Sequence, residues 1–355
     1  MRVRLEDVCE KESSKLKQSD VIDQNGLYPV YGASGYLGSI NTYQQSNYYV
    51  AVVKDGAGIG RTMLLPPKSS IIGTMQYLIP KDNVQPEYLY YVVKAKHLEK
   101  YFSGATIPHI YFKDYKNEQF DLVSFEKQRD IINRLKKIEI IIDSLSKILV
   151  LLDELVRARF VEMFGDPIEN QKDWEVVKIR DIVTDVRYGT SKPAVEGGRY
   201  PYLRMNNLTV DGGLDLSDLK YIDIPDNEIE KCVVRKGDIL FNRTNSIDLI
   251  GKTAVFNLLD DMVIAGYIIR IRLNNQILPD VFSQYMNLEA MKKVLRGMAK
   301  GAVNQANINA QELQSIKVYV PDMKLQKQYV EFKEEVDKSR LLSNHSLFLI
   351  KSIIL

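Results

Sequence analysis

Residues 131–156 read IINRLKKIEIIIDSLSKILVLLDELV, and this stretch decides the architecture of the chain. Apolar residues recur in it at alternating steps of four and three over about four heptads, which is typical of a coiled-coil helix. A helix from Phe125 to Phe164 would be about 60 Å long at 1.5 Å per residue. Gly165 and Pro167 are suited to end it. The recurring positions are Ile131, Leu135, Ile138, Ile142, Leu145, Leu149, Leu152 and Val156.

A second apolar stripe lies beside the first and consists of Ile141, Ile148 and Leu155. One partner helix covers only one stripe. We therefore expect the second stripe to contact another subunit or the adjacent globular domains, with packing inside this chain as the alternative.

The segments on either side of the helix repeat each other in order, which is the signature of an internal duplication. We predict an α+β fold of two tandem repeats, each a globular domain followed by a long helix, with the two helices packed as an antiparallel coiled coil. The predicted boundaries are 1–123 for the first domain, 124–165 for its helix, 166–321 for the second domain and 322–355 for the second helix. The matching pairs are Val3–Val8 with Val177–Ile182, Gly26–Pro29 with Gly198–Pro201, Gly60–Thr62 with Gly251–Thr253, Pro86–Leu89 with Pro279–Phe282, Gly104–Thr106 with Gly301–Val303, and Gln128 with Gln326.

Within the first domain, short apolar runs predict strands at 48–53, 70–72 and 76–79. The segment from Pro86 to Lys100 predicts a helix, with a proline near its start.

The composition is that of an ordinary soluble protein, with 355 residues, 45% hydrophobic and 26% charged. A formal net charge of +2 means that any affinity for nucleic acid must come from local basic faces.

Cys9 and Cys232 lie in different repeats and have no metal-ligand spacing, as expected for thiols of a reducing compartment. Charged residues interrupt the most apolar stretch, and the first residues lack a signal-peptide core. We expect a cytoplasmic protein.

Motifs for catalysis and for nucleotide binding are missing. The glycines of 56–60 have the wrong spacing for a dinucleotide fingerprint, and 246–253 lacks the first glycine of a phosphate-binding loop. Methyltransferase signals are absent, and His97, His109 and His345 are too scattered for a triad or a metal cluster. We predict no catalytic residue and no metal ligand in this chain.

What remains is binding chemistry at predicted loops and strand ends. Arginine suits guanine, and asparagine or glutamine suits adenine, because each can form two hydrogen bonds to one base edge. Lysine, tyrosine and threonine suit phosphates. For any single position, a solvated polar loop is the alternative. The candidates for DNA binding are Lys54, Arg61, Thr106, His109, Tyr111 and Lys113 in repeat one, and Arg187, Tyr188, Arg204, Asn206, Asn207, Arg243, Thr244, Lys252, Asn304, Gln305 and Asn307 in repeat two.

With these features the chain resembles, over essentially its whole length, a specificity subunit of a type I restriction-modification system. The matching segments are VEMFGDP at 161–167, WEVV at 174–177, KGDILFNRT at 236–244 and IGK at 250–252. Repeat one departs from this pattern, since 53–61 reads VKDGAGIGR. Such divergence is expected of domains that read different sequences.

The resemblance implies that each globular domain, 1–123 and 166–321, is a target-recognition domain that reads one half of a bipartite target in double-stranded DNA. It also implies that the helices set the gap between the halves. Two methyltransferase subunits would bind the chain, for which Ile141, Ile148 and Leu155 offer a docking surface. They would carry the S-adenosylmethionine, which this chain would not bind, and methylate adenines after flipping them. Restriction subunits would add cleavage.

Two other classes of protein remain open. One is a coiled-coil scaffold whose globular ends bind proteins, which failure to bind duplex DNA would favour. The other is a divergent methyltransferase or nuclease, which tight binding of S-adenosylmethionine by the isolated chain would favour.

Overall fold

The structure is a computed structural model that describes residues 1–22, 24–104, 108–302 and 305–354. Two long helices dominate it, α4 (Phe125–Phe164) and α9 (Met323–Ile354). The chain divides into two compact units, Met1–Ser144 with the residues from Leu349 onward (unit 1) and Leu145–Phe348 (unit 2). The division falls inside α4, whereas the sequence placed domain boundaries at the two ends of this helix. The reason is that the two halves of α4 pack with different units.

In unit 1, small sheets and short helices precede α4. A four-stranded sheet has the order β2-β8-β5-β6, a three-stranded sheet has the order β4-β3-β7, and β1 pairs with β9. The elements are β1 (Arg2–Arg4), α1 (Leu5–Val8), β2 (Cys9–Ser13), β3 (Tyr28–Gly32), β4 (Gly35–Ile40), β5 (Tyr49–Val53), β6 (Thr62–Leu65), β7 (Ser70–Ile71), β8 (Met75–Pro80), α2 (Pro86–Lys94), α3 (Phe112–Tyr115) and β9 (Gln119–Asp121).

Strand β5 is the centre of unit 1, as its unbroken apolar sequence predicts. All five of its side chains are buried, because sheet neighbours flank both edges and side chains cover both faces. Strands near the predicted positions at 70–72 and 76–79 are also present, as β7 and β8.

The predicted helix from Pro86 to Lys100 is too long. Helix α2 ends at Lys94, and a separate 3₁₀ turn covers Leu98–Tyr101. Between them His97 adopts a left-handed backbone with φ of 49°, which breaks the helical path. Leu98 is buried from the separate turn, so its apolar character extended the helical pattern in the sequence beyond the real helix.

Unit 2 contains the same arrangement with additional elements. Its sheets have the orders β11-β19-β15-β17, β13-β12-β18-β14 and β16-β21-β20, and β10 pairs with β22. The elements are β10 (Glu175–Lys178), β11 (Val183–Tyr188), β12 (Tyr200–Leu203), β13 (Lys220–Ile222), α5 (Asp226–Cys232), β14 (Val233–Val234), β15 (Ile239–Asn242), β16 (Thr244–Asn245), β17 (Thr253–Val255), β18 (Met262–Ile264), β19 (Ile268–Leu273), α6 (Pro279–Asn287), α7 (Glu289–Met298), β20 (Lys300–Ala302), β21 (Gln305–Asn307), α8 (Ala310–Ser315) and β22 (Lys317–Val320).

The internal repeat is confirmed in three dimensions. The sheet β2-β8-β5-β6 corresponds strand by strand to β11-β19-β15-β17. The parallel pair β3 and β7 corresponds to the parallel pair β12 and β18, and β1 with β9 corresponds to β10 with β22.

Each long helix is attached to its domain by a buried glutamine in its first turns. The carboxamide oxygen of Gln128 accepts from the Gln85 N–H (2.8 Å), and its Nε2 donates to the carbonyls of Val123 (2.9 Å) and Asn83 (3.2 Å). Gln128 is 0% exposed, so these bonds satisfy the buried amide.

Gln326 repeats this arrangement at the start of α9. Its oxygen accepts from the Leu278 N–H (2.8 Å), and its Nε2 donates to the carbonyls of Pro321 (2.8 Å) and Gln276 (2.9 Å). We call the two arrangements the glutamine anchors.

In unit 2 the second half of α4 lies against the first half of α9. Val156 and Val336 are buried in the same core. The guanidinium of Arg159 lies 5.7 Å from the ring centroid of Phe332, and Arg340 forms an ion pair with Asp153. Later residues of one helix thus meet earlier residues of the other, so the two helical segments run in opposite directions.

None of the helices in the described part of the chain combines the length and the apolar composition needed to cross a membrane.

The anchor at Gln326 predicts a loss of stability in the Gln326→Leu variant. Leucine is close in size but leaves the N–H of Leu278 and two carbonyls without their partner, at about 1–3 kcal/mol for each unsatisfied buried group. We expect the free energy of unfolding, measured by denaturant titration, to fall by at least this amount. The control is Gln311→Leu, at an exposed glutamine of α8, which should change it by less than about 0.5 kcal/mol. Equal effects of the two substitutions would contradict the anchor.

The buried Lys292 predicts a pH dependence of stability. Its ammonium donates to the carbonyl of Gly251 and to Asn287 Oδ1, and burial lowers the pKa of Lys292 to about 7. Between pH 7 and 10 the unfolded chain binds a proton that the folded chain lacks, so the free energy of unfolding should rise with pH by up to about 1.4 kcal/mol per unit.

In Lys292→Met this contribution disappears, so the stability profile should be flatter than that of the wild type from pH 7.5 to 9. The neighbouring Lys293 is exposed, and Lys293→Met should keep the wild-type slope. Denaturant titrations across this pH range measure both, and an unchanged slope in Lys292→Met would refute the assignment.

Candidate nucleic-acid interface

A basic residue follows the central strand of each unit, Lys54 after β5 and Arg243 after β15. The backbone around each residue makes the same hydrogen bonds and β-pairing, which we call the backbone frame. The Ile110 N–H donates to the Lys54 carbonyl, and the Ile308 N–H donates to the Arg243 carbonyl, both at 2.9 Å. One residue further on, Asp55 forms a β-bridge to His109, and Thr244 pairs with Asn307. Lys54, Asp55 and His109 are therefore the structural equivalents of Arg243, Thr244 and Asn307.

The repeat-two cluster consists of Tyr188, Arg243, Thr244 and Asn307. The guanidinium carbon of Arg243 lies 4.9 Å from the ring centroid of Tyr188, and its Nη2 donates to Asn307 Oδ1 (2.8 Å). Asn307 Nδ2 donates to Thr244 Oγ1 (3.2 Å), and the Tyr188 hydroxyl accepts from the Ala310 N–H (2.8 Å). Stacking and hydrogen bonds thus fix the guanidinium in one orientation.

The repeat-one cluster consists of Lys54, Asp55, His109, Tyr111 and Lys113. His109 Nδ1 lies 2.6 Å from Asp55 Oδ1, and Lys54 Nζ lies 3.7 Å from Asp55 Oδ2. The His109 ring is roughly parallel to that of Tyr111, with centroids 6.3 Å apart, and Lys113 Nζ lies 5.4 Å from the Tyr111 centroid.

The two clusters present different chemistry on the same frame. Where repeat two has a hydroxyl and an amide, at Thr244 and Asn307, repeat one has a carboxylate and an imidazole, at Asp55 and His109. A carboxylate only accepts hydrogen bonds, whereas an amide both donates and accepts. The two sites therefore suit different patterns of hydrogen-bonding groups.

Three residues of repeat two that the sequence predicts to contact DNA, Arg187, Asn206 and Gln305, have exposed side chains. Arg187 is exposed, but its Nε donates to Asp185 (2.8 Å). Asn206 is exposed on a short 3₁₀ turn, and Gln305 is exposed on β21 beside Asn307. Thr106 and Asn304 lie outside the described residues.

Arg61 and Lys252 hold a hairpin connection in place, a role that the sequence did not reveal. Each follows a glycine with a left-handed backbone, Gly60 with φ of 80° and Gly251 with φ of 75°. Arg61 Nη1 donates to the carbonyl of Ala33 (2.7 Å), and Lys252 Nζ donates to the carbonyl of Met205 (2.8 Å). The acceptors lie in equivalent connections, between β3 and β4 and between β12 and β13.

Lys252 and Asn207 are interior residues, and we do not retain them as candidate contacts. Lys252 is 7% exposed, and burial lowers its pKa. Asn207 is 2% exposed and bonded to the backbone of Arg204 and of Asp215. The guanidinium of Arg204 donates to Asp218 at the surface of the same loop (2.7 Å).

Sequence reasoning missed Asp55, although the repeat supplied a signal for it. Asp55 stands in the position of Thr244, which was selected for its polar side chain. It also missed Tyr267, whose carbonyl accepts from the Arg243 N–H (3.0 Å) and whose ring is 49% exposed beside the repeat-two cluster.

The second apolar stripe of α4 faces solvent. Ile141, Ile148 and Leu155 are 46%, 42% and 47% exposed. The described residues contain no group of three His, Cys, Asp or Glu side chains placed to hold a metal ion.

A family model described as "Type I restriction modification DNA specificity domain" matches residues 1–153 and 171–349. Among curated proteins, the "Putative type I restriction enzyme MjaX specificity subunit" of Methanocaldococcus jannaschii is 32% identical over 173 residues, 48% of this chain and 40% of that protein. The type I restriction enzyme EcoKI specificity subunit of Escherichia coli is 24% identical over 164 residues, 45% of this chain and 35% of that protein. The matches thus span well under half of these two relatives.

A longer match is to the MjaVIII specificity subunit of M. jannaschii, 24% identical over 314 residues, 81% of this chain and 72% of that protein. Among solved structures, the type I restriction-modification S subunit from M. genitalium aligns with a TM-score of 0.60 at 15% identity, over 100% of this chain and 93% of that one. At this identity the likeness concerns the fold.

Proposed function

This chain belongs to the family of type I restriction-modification DNA specificity domains, and we propose that it is the non-catalytic subunit that reads a bipartite target in double-stranded DNA. One observation carries the proposal: equivalent backbone frames in the two units present unlike polar side chains, Arg243, Thr244 and Asn307 in one and Lys54, Asp55 and His109 in the other. The same backbone arrangement in both units, carrying different side chains, is what two readers of different half-sites need.

In unit 2 we infer that Arg243 contacts a base edge. A guanidinium can donate two hydrogen bonds to guanine, and an asparagine amide can form two with adenine. Stacking on Tyr188 and the bond to Asn307 orient Arg243 before DNA arrives, so less side-chain entropy is lost on binding.

In unit 1 the Asp55 carboxylate would accept a hydrogen bond from an exocyclic amino group, as on cytosine. Lys54 and Lys113 would contact phosphates, which position the duplex without reading it.

We further propose that α4 and α9 form an antiparallel coiled coil that sets the gap between the half-sites. The opposed contacts of Asp153 with Arg340 and of Arg159 with Phe332 support this packing. The exposed stripe of Ile141, Ile148 and Leu155 would dock methyltransferase subunits, which would carry S-adenosylmethionine, and restriction subunits would complete the assembly.

A base-resolution methylome of host cells with and without this chain tests the function as a whole. We expect one split adenine-methylated motif to disappear on deletion. If every methylated motif persists, the proposal fails.

The reading role of Arg243 predicts a loss of specificity confined to one half of the target. In Arg243→Ala, discrimination at one base pair should fall by about 1–3 kcal/mol, the value of one bidentate contact. Competition binding with targets substituted at each position measures this. The matched control is Arg199→Ala, which removes an exposed arginine of unit 2 outside the cluster and should leave discrimination unchanged. Uniform weakening of both halves would mean that Arg243 reads no base.

The spacing role of α4 predicts a change of gap when the helix is lengthened. Seven residues inserted between Ser144 and Leu145 add about two turns, or about 10 Å. At 3.4 Å per base pair, the gap in the methylated motif should grow by up to about three base pairs, with both halves unchanged. The same insertion after the exposed Leu259, in a surface loop, should leave the gap unaltered. A constant gap after both insertions would rule out the spacing role.

A further inference from the structure

A four-residue turn joins β18 to β19 in unit 2, and an equivalent turn joins β7 to β8 in unit 1. The Ile268 N–H donates to the Ala265 carbonyl (2.8 Å) and closes the first, which we call the repeat-two turn. The Met75 N–H donates to the Ile72 carbonyl (3.0 Å) and closes the second, the repeat-one turn. Each turn has a glycine at its second position.

These turns add a third segment to the backbone frame. The Arg243 N–H donates to the carbonyl of Tyr267, the third residue of the repeat-two turn, at 3.0 Å. The Lys54 N–H donates to the carbonyl of Thr74, the third residue of the repeat-one turn, also at 3.0 Å. Tyr267 and Thr74 are therefore structural equivalents, and each lies beside the basic residue of its cluster. We call this place the third frame position.

Hydrogen bonds hold the repeat-two turn against Arg243. The buried amide of Asn242 donates from Nδ2 to the Tyr267 carbonyl (3.2 Å), and Arg243 Nη1 donates to the Gly266 carbonyl (3.4 Å). The Gly266 N–H in turn donates to the Thr190 carbonyl (2.7 Å). Because these bonds already fix the backbone of Tyr267, little further ordering is needed when a ligand binds.

The side chain of Tyr267 is free to contact a ligand. Its ring is 49% exposed, and its hydroxyl has no hydrogen-bond partner among the residues that the structure describes. Tyr188 is already engaged, because its ring stacks on Arg243 and its hydroxyl accepts from the Ala310 N–H. Of these two tyrosines, Tyr267 is the one that remains available.

The turn itself does not require an aromatic ring. Repeat one closes the same turn, and makes the same bond to its basic residue, with an exposed threonine. The other two recognition positions of the frame also differ between the units, with Thr244 opposite Asp55 and Asn307 opposite His109. A third position that varies in the same way is expected of a residue that reads sequence.

We propose that the third frame position determines specificity, and that in unit 2 the ring of Tyr267 contacts the base pair next to the one that Arg243 reads. An aromatic ring offers apolar surface to the methyl group of thymine in the major groove. Thr74 has a much shorter side chain, so the two units would differ in what they contact there. The inference rests on the proposed function, in which each unit reads one half of a DNA target.

The Tyr267→Thr variant tests this role, because repeat one shows that threonine fits the turn. We expect discrimination by the full chain to fall by about fivefold or more at one base pair, the lower end of the effect of a single mismatch. This base pair should adjoin the one relaxed in Arg243→Ala. Competition binding with duplexes substituted at each position measures both. Tyr267→Phe keeps the ring and should discriminate as the wild type does.

The matched control is Tyr221→Thr, which removes a tyrosine of β13 that is 43% exposed and lies outside the frame. It should leave discrimination unchanged at every position. If Tyr267→Thr weakens binding to all duplexes equally, the residue contacts a phosphate and the proposal is overturned. A loss in Tyr267→Phe as large as that in Tyr267→Thr would also overturn the ring contact.

The reciprocal variant, Thr74→Tyr, gives an independent measurement in unit 1. Repeat two shows that tyrosine fits this turn, so we expect a folded chain whose base preference changes at one position of the other half-site. Wild-type discrimination in either variant, under conditions where Arg243→Ala has lost it, would overturn the role of the third frame position alone. A wild-type chain that prefers no DNA sequence would overturn the proposed function as well.

Discussion

The glutamine anchors are the constraint on which the rest of the structure depends. A buried primary amide is stable only when its oxygen and both of its hydrogens form hydrogen bonds. Gln128 bonds to the backbone just before α2 and just before its own helix α4. Gln326 bonds in the same way to the backbone just before α6 and just before α9. Each anchor therefore fixes the direction in which a long helix leaves its domain. A helix on a flexible tether could not transmit a distance, whereas a helix held by directional bonds can.

Local patterns in the sequence predicted the elements whose formation is local. The heptads predict α4, Gly165 and Pro167 predict its end to within a residue, and the repeated motifs predict that the two domains match, because periodicity and turn chemistry depend on near neighbours. Side-chain direction depends on distant neighbours, and there the sequence was less informative. Lys252 has the composition of a DNA contact but lies inside, bonded to a loop more than forty residues away in the sequence. Repeat one has a basic residue, Arg61, at the same position. Residues that read different half-sites should differ between the repeats, so this likeness already indicated a structural role for Lys252.

The candidate site separates what must stay constant from what must vary. Backbone hydrogen bonds from Ile110 and Ile308 hold the recognition positions, and no side chain takes part in those bonds. Asp55 can therefore stand where repeat two has Thr244, and His109 where it has Asn307, without any change to these backbone hydrogen bonds. Because the frame is made of main chain, new specificities can arise by substitution at a few positions while the core and the helices remain as they are.

Two residues join β3 to β4, whereas residues 204–219 join the equivalent strands β12 and β13, and this difference bears on how the chain reaches its fold. A protein that contains the same strand order twice risks exchanging strands between its copies while it folds. The 204–219 connection works against that error, because Gly212 leaves no room for a side chain beside Asn287 and the Thr253 carbonyl. Lys252 reaches the carbonyls of Met205 and Leu208 in this connection, whereas Arg61 reaches the Ala33 carbonyl in the shorter turn of repeat one. A strand pair placed in the wrong copy would not match these side chains with their acceptors. Divergence between the repeats thus gives each half of the chain a means of recognising its own strands.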